Sequence, residues 1–241
     1  MLALLAIGIP AVAQQASAPL NADEVMRRVE EMNKQRANAL ETYSSVRRYH
    51  VECHCLSHKK ADMVVRAEYE APNKKVFTIV SESGSGTVRS RVFKKLLEAE
   101  QESMREENQL RSAITPDNYM FHLTDYQKID ENEFYVLQAR PLTTNKFLFR
   151  GRIWIDANDF AITRVEGEPA VNPSWWTVRT DFKRNYQKIG NFWLPESNES
   201  ETKLRILGSA VLTIKYGEYH ITQTHTLTRP SYIEDTSSNG Q

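Results

Sequence analysis

The sequence predicts an α+β fold built on a large antiparallel sheet with one apolar face, and three observations lead there. First, the stretch Phe149 to Pro169 alternates in polarity on both sides of the turn Asp156-Ala-Asn-Asp159, the pattern of an antiparallel hairpin. Phe149, Ile153 and Ile155 fall on one side of its first strand, and Arg150, Arg152 and Asp156 on the other. Such alternation belongs to a sheet with one packed and one solvated face. Second, runs of this kind recur at close spacing through the second half of the chain. That is the spacing of a sandwich or barrel-like sheet and not of βαβ units. Third, two segments switch to a helical period, with apolar residues three or four apart.

The elements follow in chain order. Met1 to Ala13 is an apolar run, too short for a bilayer, which takes roughly 20 apolar residues. It ends in the small-x-small triplet Ala11-Val-Ala13, which predicts a signal peptide cleaved after Ala13 and export to the periplasm. No Lys or Arg precedes the run, and no Cys lies near the cleavage point to carry a lipid anchor. Residues 14–20 read as a disordered leader. Asn21-Ala-Asp-Glu24 is a capping box, and Val25, Val29 and Met32 give an amphipathic helix to about residue 40. Strands are expected at about 43–57, 62–71 and 75–82, with Pro72-Asn73 as a turn. Val92, Leu96 and Leu97 begin a second helix, which runs through a dense charge run to about 110. Seven strands follow, at about 119–128, 133–140, 147–156, 160–167, 175–187, 192–206 and 209–226. No linker divides the chain, so residues 21–228 read as one domain, with 229–241 a flexible tail.

Composition narrows the function. Lys+Arg and Asp+Glu are each 31, so the formal charge is zero and the basic field of a nucleic-acid binder is missing. A 40% hydrophobic, 26% charged chain has the balance of a soluble globular protein, and no later run is apolar enough to span a membrane.

Residues with chemical potential are few. His50, Cys53, His54, Cys55 and His58 suggest zinc. On a strand, however, Tyr49, Val51, Cys53 and Cys55 face one way while His50, Glu52, His54 and His58 face the other. A closed Cys₂His₂ site would need both faces to converge, so no metal is expected. The two cysteines are about 6.5–7 Å apart along an extended strand, at the limit for bridging. They are therefore expected as inward, unbridged thiols, with a strained bond between them as the alternative where the strand bulges. Ser83-Gly-Ser-Gly-Thr-Val88 lacks the residues of a phosphate loop, and no nucleophile elbow or zinc helix motif appears. The acidic residues from Glu98 to Glu107 lie at helical spacing with Lys94, Lys95 and Arg105 between and beside them, which is a solvated face. No enzyme and no cofactor are expected. The aromatic residues suggest instead an apolar cavity, with Trp175 and Trp176 at its rim, since adjacent strand residues point opposite ways.

The segments Lys146-Phe-Leu-Phe-Arg-Gly-Arg-Ile-Trp-Ile-Asp156, Arg164-Val-Glu-Gly-Glu-Pro169 and Asn191-Phe-Trp-Leu-Pro195 resemble, in order and spacing, the LolA-like superfamily of periplasmic lipoprotein carriers. The nearer look is of outer-membrane lipoprotein-sorting-like proteins. The resemblance implies an open antiparallel β half-barrel wrapping around helices, and non-enzymatic binding of a lipid or lipoprotein acyl chain between sheet and helices. The expected cavity wall is Tyr49, Val51, Cys53, Met63, Val65, Tyr69, Phe147, Phe149, Ile153 and Ile155, with Val92 and Leu96 as a lid. The alternative is an envelope sensor or protein-interaction module whose cavity is filled by its own helices. The charged helical segment at 88–113 and the Cys53-His-Cys55 strand depart from the carriers.

Overall fold

The computed structural model describes residues 20–54, 58–172, 177–205 and 208–224. The expected signal peptide, the rim tryptophans Trp175 and Trp176, Cys55 and the tail lie outside them. Helix α1 (Ala22–Ala39) begins as its sequence requires: Asn21 Oδ1 accepts the Glu24 amide at 2.9 Å. The reciprocal half of the capping box is not made, because the Glu24 carboxylate is drawn to Arg27 and Arg28.

Three strands follow, β1 (Leu40–His54), β2 (Lys59–Glu70) and β3 (Lys74–Gly84). A helical crossing comes next: α2 (Gly86–Val88), a π-helical turn at Arg89–Phe93, α3 (Lys94–Ser103) and α4 (Glu106–Ser112). Seven more strands follow among the described residues: β4 (Tyr119–Ile129), β5 (Asn132–Pro141), β6 (Phe149–Asp156), β7 (Ala161–Pro169), β8 (Thr177–Ile189), β9 (Phe192–Leu204) and β10 (Gly208–Thr224). All ten form one antiparallel sheet in the order β3-β2-β1-β10-β9-β8-β7-β6-β5-β4. The sheet is open, with β3 and β4 at opposite edges, and it matches the half-barrel expected. Because those two edge strands are consecutive, the chain between them must traverse the sheet. The apolar residues Val88, Phe93, Leu96 and Leu97 turn that crossing toward the greasy face.

The second helix was expected to be continuous to about 110, but it breaks at Met104 and Arg105. Arg105 is extended, and side chains take over the end carbonyls: Asn108 Nδ2 donates to Glu102 O at 2.9 Å, and Gln109 Nε2 to Met104 O at 3.1 Å.

The β6–β7 hairpin organises one end of the sheet. Asp156 Oδ1 accepts the amides of Asn158 and Asp159, at 3.0 and 2.7 Å, closing the turn. Asp159 ties this turn to the β8–β9 hairpin through Lys188 at 2.5 Å and Trp193 Nε1 at 2.9 Å. The Asp159 carbonyl also accepts a bond from Arg36 near the end of α1. Further along, Gly151 and Gly167 face each other across β6 and β7, and a Cβ on Gly151 would lie 2.6 Å from Gly167 Cα. Glycine is required there by the approach of two backbones.

Candidate functional site

Strand parity fixes the inner face. Ile153, Val165 and Phe182 point under α1, and Tyr49, Val51, Met63, Val65 and Ile214 point under the helical crossing. The expected cavity residues are therefore divided among three packed clusters. Phe149, Ile153 and Ile155 lie with Val25, Met26 and Val29 of α1. Tyr49, Val51, Met63 and Val65 lie with Val88 and Phe93, and Val92 and Leu96 pack against them. Tyr69 belongs to a third cluster, stacked on Tyr43 at 5.0 Å between ring centroids. Phe147 precedes β6 in a turn, half-buried beside Lys146 and Arg111.

Cys53 is half-buried on the inner parity, but its thiol is not free: it is disulfide-bonded. This corrects the expectation of two unbridged thiols, which assumed an ideally extended strand between positions 53 and 55.

The crossing segment is a thin cover. Phe93 is 1% exposed and inserts beside Tyr49, edge to face at 6.2 Å, yet no residue of α3 is completely buried. Burying one such ring stabilises the cover by about 2 kcal/mol. Along its flank an open groove of about 570 Å³ runs between the cover and the edge strand β3. Met63, Phe77, Ile79 and Leu97 line the apolar part, and Glu82, Arg89, Lys94 and Glu98 the charged part.

A charged latch holds the cover down, and none of its members was singled out from sequence. Arg47, 2% exposed, donates through Nη1 to both Glu100 oxygens at 2.7 and 2.6 Å, and Lys75 Nζ lies 3.0 Å from the same carboxylate. The Arg47 guanidinium stacks between Phe77 and Tyr216, 5.2 and 5.0 Å from their centroids. Burial raises the Glu100 pKa, but Arg47 and Lys75 outweigh it and hold the carboxyl below its ordinary value. Burial also lowers the Lys75 pKa, which the Glu100 charge only partly offsets. One signal for Arg47 was in the sequence: it shares parity with Tyr49 and Val51, an ionised group in phase with a greasy face.

The outer face carries a charge ladder in which Arg150, Arg152, Arg164 and Arg179 meet Glu166, Glu168 and Asp181. His50 pairs with Asp62 on the same side at 2.7 Å. These pairs are largely exposed and nearly balanced, which makes them a solvated surface.

No family model and no curated protein matches the sequence. Among solved structures, the chain is similar in fold to LolA superfamily and outer membrane lipoprotein-sorting proteins. One is the LolA superfamily protein of Nitrosomonas europaea, at 10% identity over 88% of this chain and 99% of that one, with TM-score 0.39. Another is a candidate outer membrane lipoprotein-sorting domain from Vibrio parahaemolyticus, at 11% identity over 87% and 96%, with TM-score 0.44. A chain of the Pseudomonas aeruginosa MucA/MucB complex matches at 8% identity over 83% and 99%, with TM-score 0.27. These are likenesses of chain path.

Proposed function

We propose that this chain is a non-enzymatic envelope protein that binds an apolar chain, such as a lipid or lipoprotein acyl chain, on the inner face of its sheet. The observation that carries the reading is the groove beside β3. Of its apolar lining, Met63, Phe77 and Leu97 are continuous with the apolar cluster under the crossing helix, and Glu82, Arg89, Lys94 and Glu98 supply charge beside it. Apolar walls with a few oriented polar groups are the form of a small-molecule site. An acyl chain entering there would lie along Leu97 and take the place of Phe93 and Leu96 against Tyr49, Met63 and Val65. Each methylene buried contributes roughly 0.8 kcal/mol, from which the cost of lifting the cover is subtracted. The apolar run at Met1 to Ala13 supports export, and no helix among the described residues is long and apolar enough to cross a membrane.

A second reading has its own support: the apolar patch is already filled by the chain's own Val88 and Phe93. On that reading the protein is a sensor or interaction module with a permanently closed interior. Native mass spectrometry of the protein purified from its own envelope separates the two. A co-purifying lipid is expected, and a bare mass together with a bound protein partner would favour the module.

A further inference from the structure

Beneath the cover, the inner face has more positive charge and more unused polar atoms than its own contacts consume. Arg184, Asn198, Ile214, Tyr49 and Met63 form one row across β8, β9, β10, β1 and β2, each the register partner of the next. Arg47 lies one inward position along β1 from Tyr49, beside Tyr216. Glu100 reaches this place from α3 and Lys75 from β3. Two cations thus meet one carboxylate, and Arg184 feels the same charge from further off.

The polar atoms left over fall in the same place. Seven buried side-chain atoms among the described residues have no hydrogen-bond partner, and four of them are Ser45 Oγ, Arg47 Nε, Tyr49 Oη and Asn198 Oδ1. Ser45, Arg47 and Tyr49 are 1%, 2% and 2% exposed, so water does not satisfy them from outside. Tyr49 Oη lies near the Arg47 guanidinium, which can only donate to it, so the hydroxyl proton has no acceptor. Arg184 stands differently. It is on the inner row yet exposed, no carboxylate of the described residues lies within ion-pair distance, and its charged and phenolic neighbours are Tyr186, Tyr216 and Glu100. An open arginine on the same face as a buried one, with the Arg47 Nε and the Ser45 and Tyr49 hydroxyls unused as donors, lacks an anion.

We propose that Arg184, Arg47 and Lys75, with the Tyr49 hydroxyl, form an interior site for the carboxylate or phosphate head group of an amphiphile, and that Glu100 of the cover occupies this site when no ligand is bound. The inference rests on the apolar-chain reading above and adds to it the head-group chemistry. Glu100 accepts from Arg47 through both oxygens and from Lys75, as an entering carboxylate would. Displacing it frees α3, so head-group capture and lifting of the cover are one event. The ligand's anion replaces Glu100 as the counter-charge of Arg47 and Lys75 and supplies one to Arg184 as well.

The test titrates the full chain with four probes: dodecanoate, dodecyl phosphate, dodecanol and inorganic phosphate. Each is measured with the wild type and with Arg184→Gln, an exposed position whose substitution is checked for unchanged thermal unfolding. The two anionic amphiphiles should bind at least about tenfold more tightly than dodecanol. Arg184→Gln should remove most of that preference while leaving dodecanol binding as it was. Equal affinity for dodecanoate and dodecanol in the wild type overturns the anion site and leaves the apolar-chain reading standing. Inorganic phosphate binding as tightly as dodecyl phosphate overturns the amphiphile and points to a free phosphate ion. Preference retained in Arg184→Gln and in Arg47→Gln overturns the residue assignment. No binding of any dodecyl probe fails the apolar-chain reading and this inference with it.

Discussion

Glu100→Ala cuts the latch and leaves the sheet untouched. In the native chain both Glu100 oxygens face Arg47, at 2.7 and 2.6 Å, and Lys75 at 3.0 Å supports them. Without the carboxylate, Arg47 stays 2% exposed between Phe77 and Tyr216 with no counter-charge. Removing one member of a buried pair costs about 3–5 kcal/mol. Glu100 is itself 27% exposed, so solvent screens part of the interaction. The expected loss is therefore about 2–3 kcal/mol, below the fully buried range. Urea unfolding with a common slope measures it, and hydrogen exchange should show the amides of α3 losing protection before those of β1. Adding Arg47→Leu should recover part of the loss, since an apolar replacement removes the stranded charge. A loss under about 1 kcal/mol, the range of an exposed surface pair, would refute the latch.

Three further outcomes are expected. Gly167→Ala drives a methyl into the Arg150 carbonyl across the β6–β7 pair and should cost about 1–3 kcal/mol by denaturant titration, because backbone cannot move aside as a side chain does. Stability should also fall with acid. Glu100 is held below its ordinary 4.5, and Asp159, raised by burial but lowered further by Lys188 and Trp193, below 3.8. Both contributions are complete above those values and are lost as pH drops through the lower folded ones, so thermal midpoints should decline below about pH 4.5. In denaturant, the unreduced chain should show no titratable thiol, and two after reduction; two thiols without reductant would contradict the Cys53 disulfide.

The fold was legible because period and parity are local properties. The alternation at Phe149 to Pro169 placed Ile153 and Ile155 inward, and Asn21 announced the start of α1 at the residue that caps it. What stayed hidden depended on contacts between distant segments. Arg47 and Glu100 are 53 residues apart and meet only because the crossing from β3 to β4 must pass over β1. The single greasy wall expected from parity became three clusters, because α1 and the crossing helix each cover a different part of the sheet. The break at Met104 came from Asn108 and Gln109 capping carbonyls, a competition that apolar period does not report. The cysteine expectation failed for a similar reason, since it rested on ideal strand geometry alone.

Binding of a fluorescent fatty-acyl probe to the wild type, to Leu97→Asp and to Leu110→Asp tests the central claim most directly. Leu97 lines the groove beside β3, whereas Leu110 is 71% exposed on α4 and serves as the control. A carboxylate at Leu97 would have to be desolvated against the bound chain, at a cost of roughly 1–3 kcal/mol or more, which is about tenfold or greater in affinity. The account predicts saturable binding by the wild type and by Leu110→Asp, with at least a tenfold loss in Leu97→Asp. Equal binding by all three proteins, or no saturable uptake by the wild type, would contradict it.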